Sequence, residues 1–291
     1  MFTQFTRFVL CLSLMISLSG HAFSKGSVGF MPENNLHIGP NDKNANTSVT
    51  EEVFNKVIDI AEKYYIPVIK KMGGVFKVNR NWSDGTVNAS ATRKANIWEV
   101  NMYGGLARHP RVNADAFALV LCHEIGHHMG GAPKVAGFFQ RWASNEGQSD
   151  YYGTTKCFRL LYSQDNNEDI VSRMSIPAIV KDQCHKVYAN NAESALCMRI
   201  NMAGLSLAQL LGELGGNPNV DFTKPDITKV SRTNDAHPKA QCRLDTYFQG
   251  ALCDRPMNES PSNSDATRGF CTSRSGHQIG LRPLCWYFPR E

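Results

Sequence analysis

Apolar residues recur at intervals of three and four positions in residues 48–65, so their side chains would share one face of an α-helix. Ser48 and Glu51 stand three positions apart at the start of this stretch, which is the spacing of a capping box. The pattern predicts an amphipathic helix that begins at Ser48 and that Pro67 bends or ends.

Three shorter stretches, residues 74–82, 86–93 and 96–105, alternate apolar and polar positions and are separated by turn residues. They predict three antiparallel β-strands. The third stretch is the best candidate for an edge strand that lines a cleft, because the free backbone groups of an edge strand pair with extended peptides. The alternative is an ordinary sheet strand that places Trp98 in the core.

Helical periodicity returns in residues 113–129, where Asn113 or Asp115 lies near the N-cap and Pro133 follows the end. A second helix is predicted over residues 144–161.

Residues 1–24 have the pattern of a secretory signal peptide, with Arg7, an apolar run and then small residues. The run is shorter than the roughly 20 apolar residues that span a bilayer, although an uncleaved anchor is the alternative. No later stretch is expected to span a membrane. The rest of the chain divides into an irregular arm (25–47), one α+β domain (48–250) and a cysteine-rich tail (251–291).

The chain has 291 residues, of which 42% are hydrophobic and 20% are charged, enough for one substantial core. Loss of Arg7 with the signal leaves 30 of the 31 basic residues against 26 acidic ones, so the formal net charge falls from +5 to +4. This small surplus contains no block of Lys or Arg and therefore indicates no nucleic-acid partner.

Nine cysteines are present, and Cys11 lies in the predicted signal. The even number that remains predicts disulfides in an oxidising compartment, either the periplasm or the extracellular space. The spacing favours a bond between Cys184 and Cys197, and Cys122 is expected to be packed or bridged. Two more bonds are expected among the last four cysteines, which are Cys242, Cys253, Cys271 and Cys285.

Within residues 113–129, His123 and His127 are one helical turn apart, and Glu124 directly follows the first. Both imidazoles can therefore reach one ion, as in the His-Glu-x-x-His motif of zinc hydrolases. A catalytic zinc takes three protein ligands and a water, and Glu124 is placed to accept the proton of that water. The alternative is a core helix whose histidines form ordinary hydrogen bonds. His128 points about 100° away from His127 and is expected behind a ligand or at the surface.

A third ligand is expected in the segment NEGQSDYYG, where Glu146 and Asp150 share one face of the second predicted helix. Glu146 can complete the zinc shell, and Asp150 can accept a hydrogen bond from the far nitrogen of a ligand histidine. A solvated acidic helix face is the alternative. The third histidine of the metzincin pattern is excluded, because Pro133 stands at its position.

The motif HEIGHH, followed by EGQSD and then by HPKAQCR, resembles the gluzincin metallopeptidases that include the HtpX-like proteases and the CAAX prenyl endopeptidases. In that family a His-Pro pair lies well downstream with an Arg six residues after the His, and here these are His237, Pro238 and Arg243. The resemblance covers about residues 95–250. It implies an α+β zincin-like fold with a small antiparallel sheet, a helix that carries HExxH and a helix that carries the ligand Glu.

The resemblance also implies a role for each matching residue. Glu124 would be the general base, and His237 would hydrogen-bond the developing oxyanion. Arg243 would pair with a site carboxylate such as Asp150. The ligands of one zinc ion would be His123, His127 and Glu146.

Together these expectations describe an exported zinc-dependent metalloendopeptidase with polypeptide substrates, by resemblance unfolded or envelope proteins, and without stable membrane insertion. Two other functions stay open: a catalytically silent, zinc-stabilised binding or chaperone module, and an exopeptidase. Retention of Glu124 favours an enzyme, because a merely structural zinc site has no use for a base. No residue identifies a site for a free chain terminus.

Overall fold

The structure, a computed structural model, describes residues 28–43, 45–46, 48–137 and 140–289. The predicted signal peptide lies outside these residues. The described helices and strands are β1 (Val28–Gly29), α1 (Glu51–Lys71), β2 (Val75–Asn81), β3 (Ala89–Lys94), β4 (Ile97–Tyr103), α2 (Gly104–Ala107), α3 (Ala114–Met129), α4 (Glu146–Tyr152), a π-helical turn (Gly153–Cys157), α5 (Phe158–Tyr162), α6 (Asn167–Ser172), α7 (Ala178–Val187), α8 (Asn191–Leu214), α9 (Ala240–Ala251) and a 3₁₀ turn (Ser273–Ser275).

The four described strands form one mixed sheet in the order β1-β3-β4-β2. β3 is antiparallel to β1 and to β4, whereas β2 is parallel to β4. The prediction of an antiparallel sheet was therefore wrong in part. The reason is that β3 joins the far side of β4, so β2 and β4 point in the same direction.

β4 is an internal strand, so the prediction that it is the edge strand of a cleft was wrong. Its Trp98 is buried, as the alternative expected. The described edge strands are β1 and β2. β1 belongs to the segment predicted as an irregular arm, and Phe30 and Met31 after it are fully buried.

Helix α1 begins after Thr50, two residues later than predicted, because the Thr50 hydroxyl accepts the Val53 N–H at 3.3 Å. Pro67 does not end this helix, which continues to Lys71. The helix buries one apolar face that extends past the proline to Ile69. Burial of that face outweighs the single backbone hydrogen bond that a proline removes.

Both helices predicted around the histidine motif are present. α3 starts after Asn113, whose side chain accepts the Ala116 N–H at 2.9 Å. α4 starts after Asn145, whose side chain accepts the Gln148 N–H at 3.0 Å. The helical path predicted over residues 144–161 continues from α4 through the π-helical turn into α5.

Four disulfides join the cysteines outside the signal: Cys122–Cys157, Cys184–Cys197, Cys242–Cys285 and Cys253–Cys271. The predicted Cys184–Cys197 bond is confirmed, as are two bonds among the last four cysteines and the bridged state of Cys122. Such a set is typical of a protein that is exported and folds in an oxidising environment.

The C-terminal residues pack against α4 and α9. Trp286 is fully buried, and its indole N–H donates to Thr246 of α9 at 3.0 Å. A side chain at Gly147 of α4 would overlap the Trp286 ring, so the glycine of EGQSD is required by this contact. The tail thus supports the back of α4.

One helix in the described part of the chain, α8, is long and apolar enough to cross a membrane, although no such stretch is predicted from the sequence. Most of its apolar window, 72%, is buried inside the protein. It packs against α9, α6, α7 and α3. These contacts are those of a core helix.

Candidate metal centre

Helix α3 presents His123 and His127 on one face, with their ring centroids 4.7 Å apart. Both side chains are buried. Neighbouring segments cover this helix on all sides, and its residues are therefore apolar on nearly every face. The two polar rings thus lie deep in the protein. Local helix geometry alone brings these two nitrogen ligands together.

Helix α4 supplies the third group because it crosses α3 at close range. A side chain at Gly126 would lie 2.9 Å from the Ser149 carbonyl oxygen, so the glycine of HEIGH allows the approach. Glu146 then places Oε2 3.2 Å from His123 Nε2 and Oε1 3.7 Å from His127 Nε2. The predicted triad of His123, His127 and Glu146 is thus brought together, with all ligand atoms within 4.8 Å of one another.

Hydrogen bonds on the far side of each ring define which nitrogen faces the centre. His123 Nδ1 donates to Asp150 Oδ1 at 2.7 Å, as predicted for that carboxylate. His127 Nδ1 donates to the Ser144 carbonyl oxygen at 2.8 Å. The Nε2 atom of each ring therefore faces the centre, and both atoms are buried without a hydrogen-bond partner among the described residues.

The triad fits a tetrahedral cation. Ligand bonds of 2.0–2.1 Å at a tetrahedral angle separate two ligand atoms by about 3.3 Å, close to the two distances at Glu146. Two imidazoles and one carboxylate are a donor set that zinc prefers in proteins. The unpartnered Nε2 atoms and Glu146 Oε2 would gain partners from such an ion. These residues could therefore hold a metal ion.

Two other groups of side chains contain metal-binding residue types, but their cysteines are in disulfides. One contains Cys242 and Cys285, and the other contains Cys271. A disulfide sulfur has no thiolate to offer a metal. Among the described residues, the triad is thus the group with three free ligands.

A buried ion pair supports His123 from behind. Arg243 donates from Nε and from one terminal nitrogen to the two oxygens of Asp150, both at 2.7 Å. Although burial raises it, Arg243 and His123 hold the pKa of Asp150 below its usual value. Arg243 and Asp150 are completely buried, so Asp150 stays ionised and keeps the orientation of His123 fixed.

Carboxylates dominate the electrostatics of the centre. Burial lowers the pKa of His123, but Asp150 and Glu146 outweigh it and raise the value to about 9. Burial lowers the pKa of His127 to about 4. Against burial, the neighbouring histidines, His237 foremost, hold the pKa of Glu146 near 2. The ionised carboxylates therefore favour positive charge between the ligands.

Glu124 is completely buried, and both of its side-chain oxygens lack a hydrogen-bond partner among the described residues. Burial raises its pKa to about 8, and Glu146 adds to the rise. The charges of His123 and Arg243 oppose it. Near neutral pH this carboxyl group can therefore both accept and release a proton.

His237 reaches the centre from the loop that precedes α9. Its Nε2 lies 3.4 Å from Glu146 Oε2 and donates to the carbonyl oxygen of Gly29 at 2.7 Å. It is more exposed than the ligands, with 27% of its side chain accessible. The structure thus places all seven residues named from the sequence in one cluster, around the triad or directly behind it.

Sequence reasoning missed four residues of this cluster. Ser144 and Ser149 both contact His127 Nδ1, through a carbonyl oxygen and through a hydroxyl 3.0 Å away. Gly29 and Phe30 lie against His237, His123 and Arg243. No periodic pattern or motif marks any of the four, although Ser149 lies inside EGQSD, three residues after Glu146.

His128 is neither behind a ligand nor at the surface, so its predicted placement was wrong. It is buried between Trp98 and Trp142, with ring centroids 5.6 and 4.8 Å away, and its Nε2 lies 3.2 Å from the Glu99 carbonyl oxygen. Burial, aided by Arg93, holds the pKa of His128 well below its usual value. It is a neutral core residue that joins α3 to the sheet.

An open cavity of about 1210 Å³ lies beside the loop of His237. Asn234, Asp235 and Ala236 line one side, and Pro133 and Lys134 line another. None of the three candidate ligands lines the cavity. Solvent thus reaches the neighbourhood of the centre, while the ligands themselves are covered.

Comparison with known protein families, with curated proteins and with solved structures finds no match to this chain. A function for the centre is therefore argued from its geometry and from the motifs in the sequence.

Proposed function

We propose that this protein is an exported zinc-dependent endopeptidase with a zincin-like catalytic centre. His123, His127 and Glu146 hold the zinc ion, and Glu124 is the general base. The observation that carries the proposal is the position of Glu124: a fully buried, unpaired carboxylate directly follows a ligand histidine. An unpaired buried carboxylate is unfavourable for stability and therefore argues for a catalytic role.

Zinc bound by the triad supplies a Lewis acid that acidifies water and polarises a carbonyl group. Glu124 takes a proton from the attacking water at a side-chain oxygen. The same carboxyl group then returns this proton to the amide nitrogen as the peptide bond breaks. One carboxyl group can thus act first as base and then as acid.

His237 stabilises the carbonyl oxygen that gains negative charge. Its Nε2 already donates to a backbone carbonyl oxygen beside Glu146, which supports this role. Asp150 and Arg243 act through His123: the buried ion pair keeps the imidazole in one tautomer and orientation. Neither of them touches the reacting bond.

The substrate class is supported by sequence and by setting. The HExxH, ExxxD and His-Pro motifs resemble gluzincin peptidases, and four disulfides agree with work outside the cytoplasm. We assign unfolded or envelope polypeptides as substrates, in the periplasm or the extracellular space.

The test is hydrolysis of casein by the oxidised, zinc-loaded protein beside Glu124→Gln at matched zinc content. We expect the variant to lose about 10³-fold in rate while it retains zinc, since a general base contributes 10²–10⁴-fold. Glu52→Gln, at an exposed position of α1, is the matched control and should keep full activity.

Equal rates in wild type and Glu124→Gln would overturn the assignment of the base. A wild-type protein that holds one zinc ion yet cleaves neither casein nor a mixed peptide library would favour the catalytically silent binding module. Product analysis separates internal cleavage from removal of terminal residues, and release of single residues alone would favour an exopeptidase.

A further inference from the structure

The first described residues of the chain lie along the sheet edge next to the centre. β1 is antiparallel to β3, with Val28 opposite Ala91 and Gly29 opposite Ser90. The Phe30 N–H donates to the Ala89 carbonyl oxygen at 3.1 Å. Since hydrogen-bonding residues alternate in an antiparallel ladder, the polar backbone groups of Gly29 point away from β3.

The Gly29 carbonyl points at the catalytic machinery. Its oxygen accepts the hydrogen bond from His237 Nε2 at 2.7 Å, and that nitrogen is 3.4 Å from the carboxylate of Glu146. Under the proposed function, this is where the carbonyl of a bond about to be cut would lie. The Gly29–Phe30 peptide bond thus has its oxygen on the residue assigned to the oxyanion.

The next residue is held in the same manner. The Phe30 carbonyl oxygen accepts a hydrogen bond from Arg243 at 2.6 Å. Its ring packs edge-on against His123, with centroids 5.3 Å apart, and under the guanidinium of Arg243 at 4.5 Å. Two consecutive carbonyls and one amide are therefore bound through the main chain, and one large apolar side chain is enclosed.

These contacts are those that an extended peptide makes when it adds to a sheet edge: backbone hydrogen bonds hold it, and a pocket selects a side chain. We propose that Val28–Met31 occupy the binding site for the main chain of a peptide substrate. A substrate with a large apolar residue in the place of Phe30 must displace them. This inference rests on the proposed function and names the substrate and the occupant of the same centre.

The attachment of the segment is strong at one end and weak at the other. Two hydrogen bonds between Asn88 and the Met31 backbone, at 3.0 and 3.1 Å, hold the C-terminal end. At the other end, Val28 packs in a small cluster with Ala91 and Ala143 that is separate from the main core. Val28 is therefore the position at which the segment can be loosened without damage to the core.

The first experiment loosens the segment with Val28→Asp in the zinc-loaded, oxidised full chain. Val75→Asp, at an exposed position of the opposite edge strand β2, is the matched control. Two rates are measured in each protein: removal of zinc by a chelator and hydrolysis of casein. We expect both to rise about tenfold in Val28→Asp and to stay unchanged in Val75→Asp, because the uncovered state becomes more populated.

The two rates separate this inference from the proposed function. Faster zinc removal without hydrolysis in any of the proteins would support the covering segment and overturn the peptidase. Hydrolysis at the same rate in wild type and Val28→Asp, with unchanged zinc removal, would support the peptidase and overturn the covering segment. Val28→Thr, of similar shape, gives the same comparison with a smaller effect if Val28→Asp does not fold.

A second measurement tests the pocket for an apolar residue. In Val28→Asp combined with Glu124→Gln, binding of the blocked peptide Val-Gly-Phe-Met is compared by calorimetry with that of Val-Gly-Glu-Met. We expect the Phe peptide to bind at least about tenfold more tightly, as the ring would be buried where the Glu carboxylate would be unpaired. Equal affinities would overturn the assignment of the Phe30 position.

Discussion

Two of the charged clusters in the described part of the chain differ in how completely their polar atoms are paired. Around Arg199 every nitrogen has a partner: two bonds go to Asp115, and one each goes to Asp165 and to Asn167, at 2.7–3.0 Å. Around the metal triad, Glu124 and its neighbours contribute five buried atoms without a hydrogen-bond partner among the described residues.

Burial alone therefore does not distinguish the metal triad from the Arg199 cluster. Each unpaired buried polar group lowers stability by about 1–3 kcal/mol, so a protein rarely retains several that point at one another. The Arg199 cluster joins α8 to α3 and to the loop before α6, and its pairing explains it fully. The triad is explained only if something outside the chain completes it.

The sharpest way to test this contrast is Glu146→Ala. The variant removes the charged ligand and leaves two neutral imidazoles, so we expect the zinc affinity to fall by more than about 100-fold, beyond the loss typical of an outer partner. Competition with a chromophoric chelator measures it. Asp165→Ala removes a carboxylate from the paired cluster and should leave the affinity unchanged; an equal loss in both variants would contradict the contrast.

Asp150→Asn tests whether the ion pair behind His123 acts on the metal. We expect the zinc affinity to fall by about 10–100-fold, because His123 loses its charged acceptor. Since Arg243 is left buried without a carboxylate, the free energy of unfolding should also fall by about 3–5 kcal/mol. Chelator competition and urea unfolding measure the two effects. Lower stability with unchanged zinc affinity would mean that Asp150 stabilises the fold and does not act on the metal.

The pH dependence of zinc binding is a further test. In the metal-free chain the pKa of His123 is about 9, so at neutral pH its ring carries a proton that zinc must displace. At pH values below this pKa, the apparent zinc affinity should therefore rise about tenfold for each unit by which the pH is increased. Proton release is measured by calorimetry in buffers of different ionisation enthalpy, in Glu124→Gln so that this group does not titrate. Binding without proton release would contradict the assignment of His123.

Arg199→Met should have the smallest effect on zinc affinity and a clear effect on the stability of the fold. Asp115 would lose its buried partner, and we expect the free energy of unfolding to fall by about 3 kcal/mol. Zinc affinity should stay within about twofold of wild type, because the cluster shares no partner with the triad. A large loss of zinc would mean that the two clusters are coupled.

The parts of the centre that sequence could predict are those set by local geometry. A helical period fixes the position of His127 relative to His123, and of Asp150 relative to Glu146, whatever the rest of the chain does. The contact between the histidine pair and the carboxylate pair was implied only by family motifs. It depends on the close approach of α3 and α4 at Gly126, which no sequence pattern predicts.

The parts that could not be predicted depend on pairing between distant segments. β1 has two residues, too few for any period, and it joins the sheet only because β3 offers an edge. The mixed direction of the sheet follows from the strand order, which the alternation of apolar and polar residues does not define. The burial of His128 depends on Trp142, in a loop that has no helical or strand pattern.

The contact between Gly147 and Trp286 has a consequence for how the protein is made. A chain emerges from the ribosome from its N-terminus, so α4 is complete long before the indole that supports it exists. Cys285, next to that indole, must also find Cys242 beside the arginine that pairs with Asp150. A growing chain therefore lacks this support for α4, the helix that begins with Glu146, until its synthesis is almost finished.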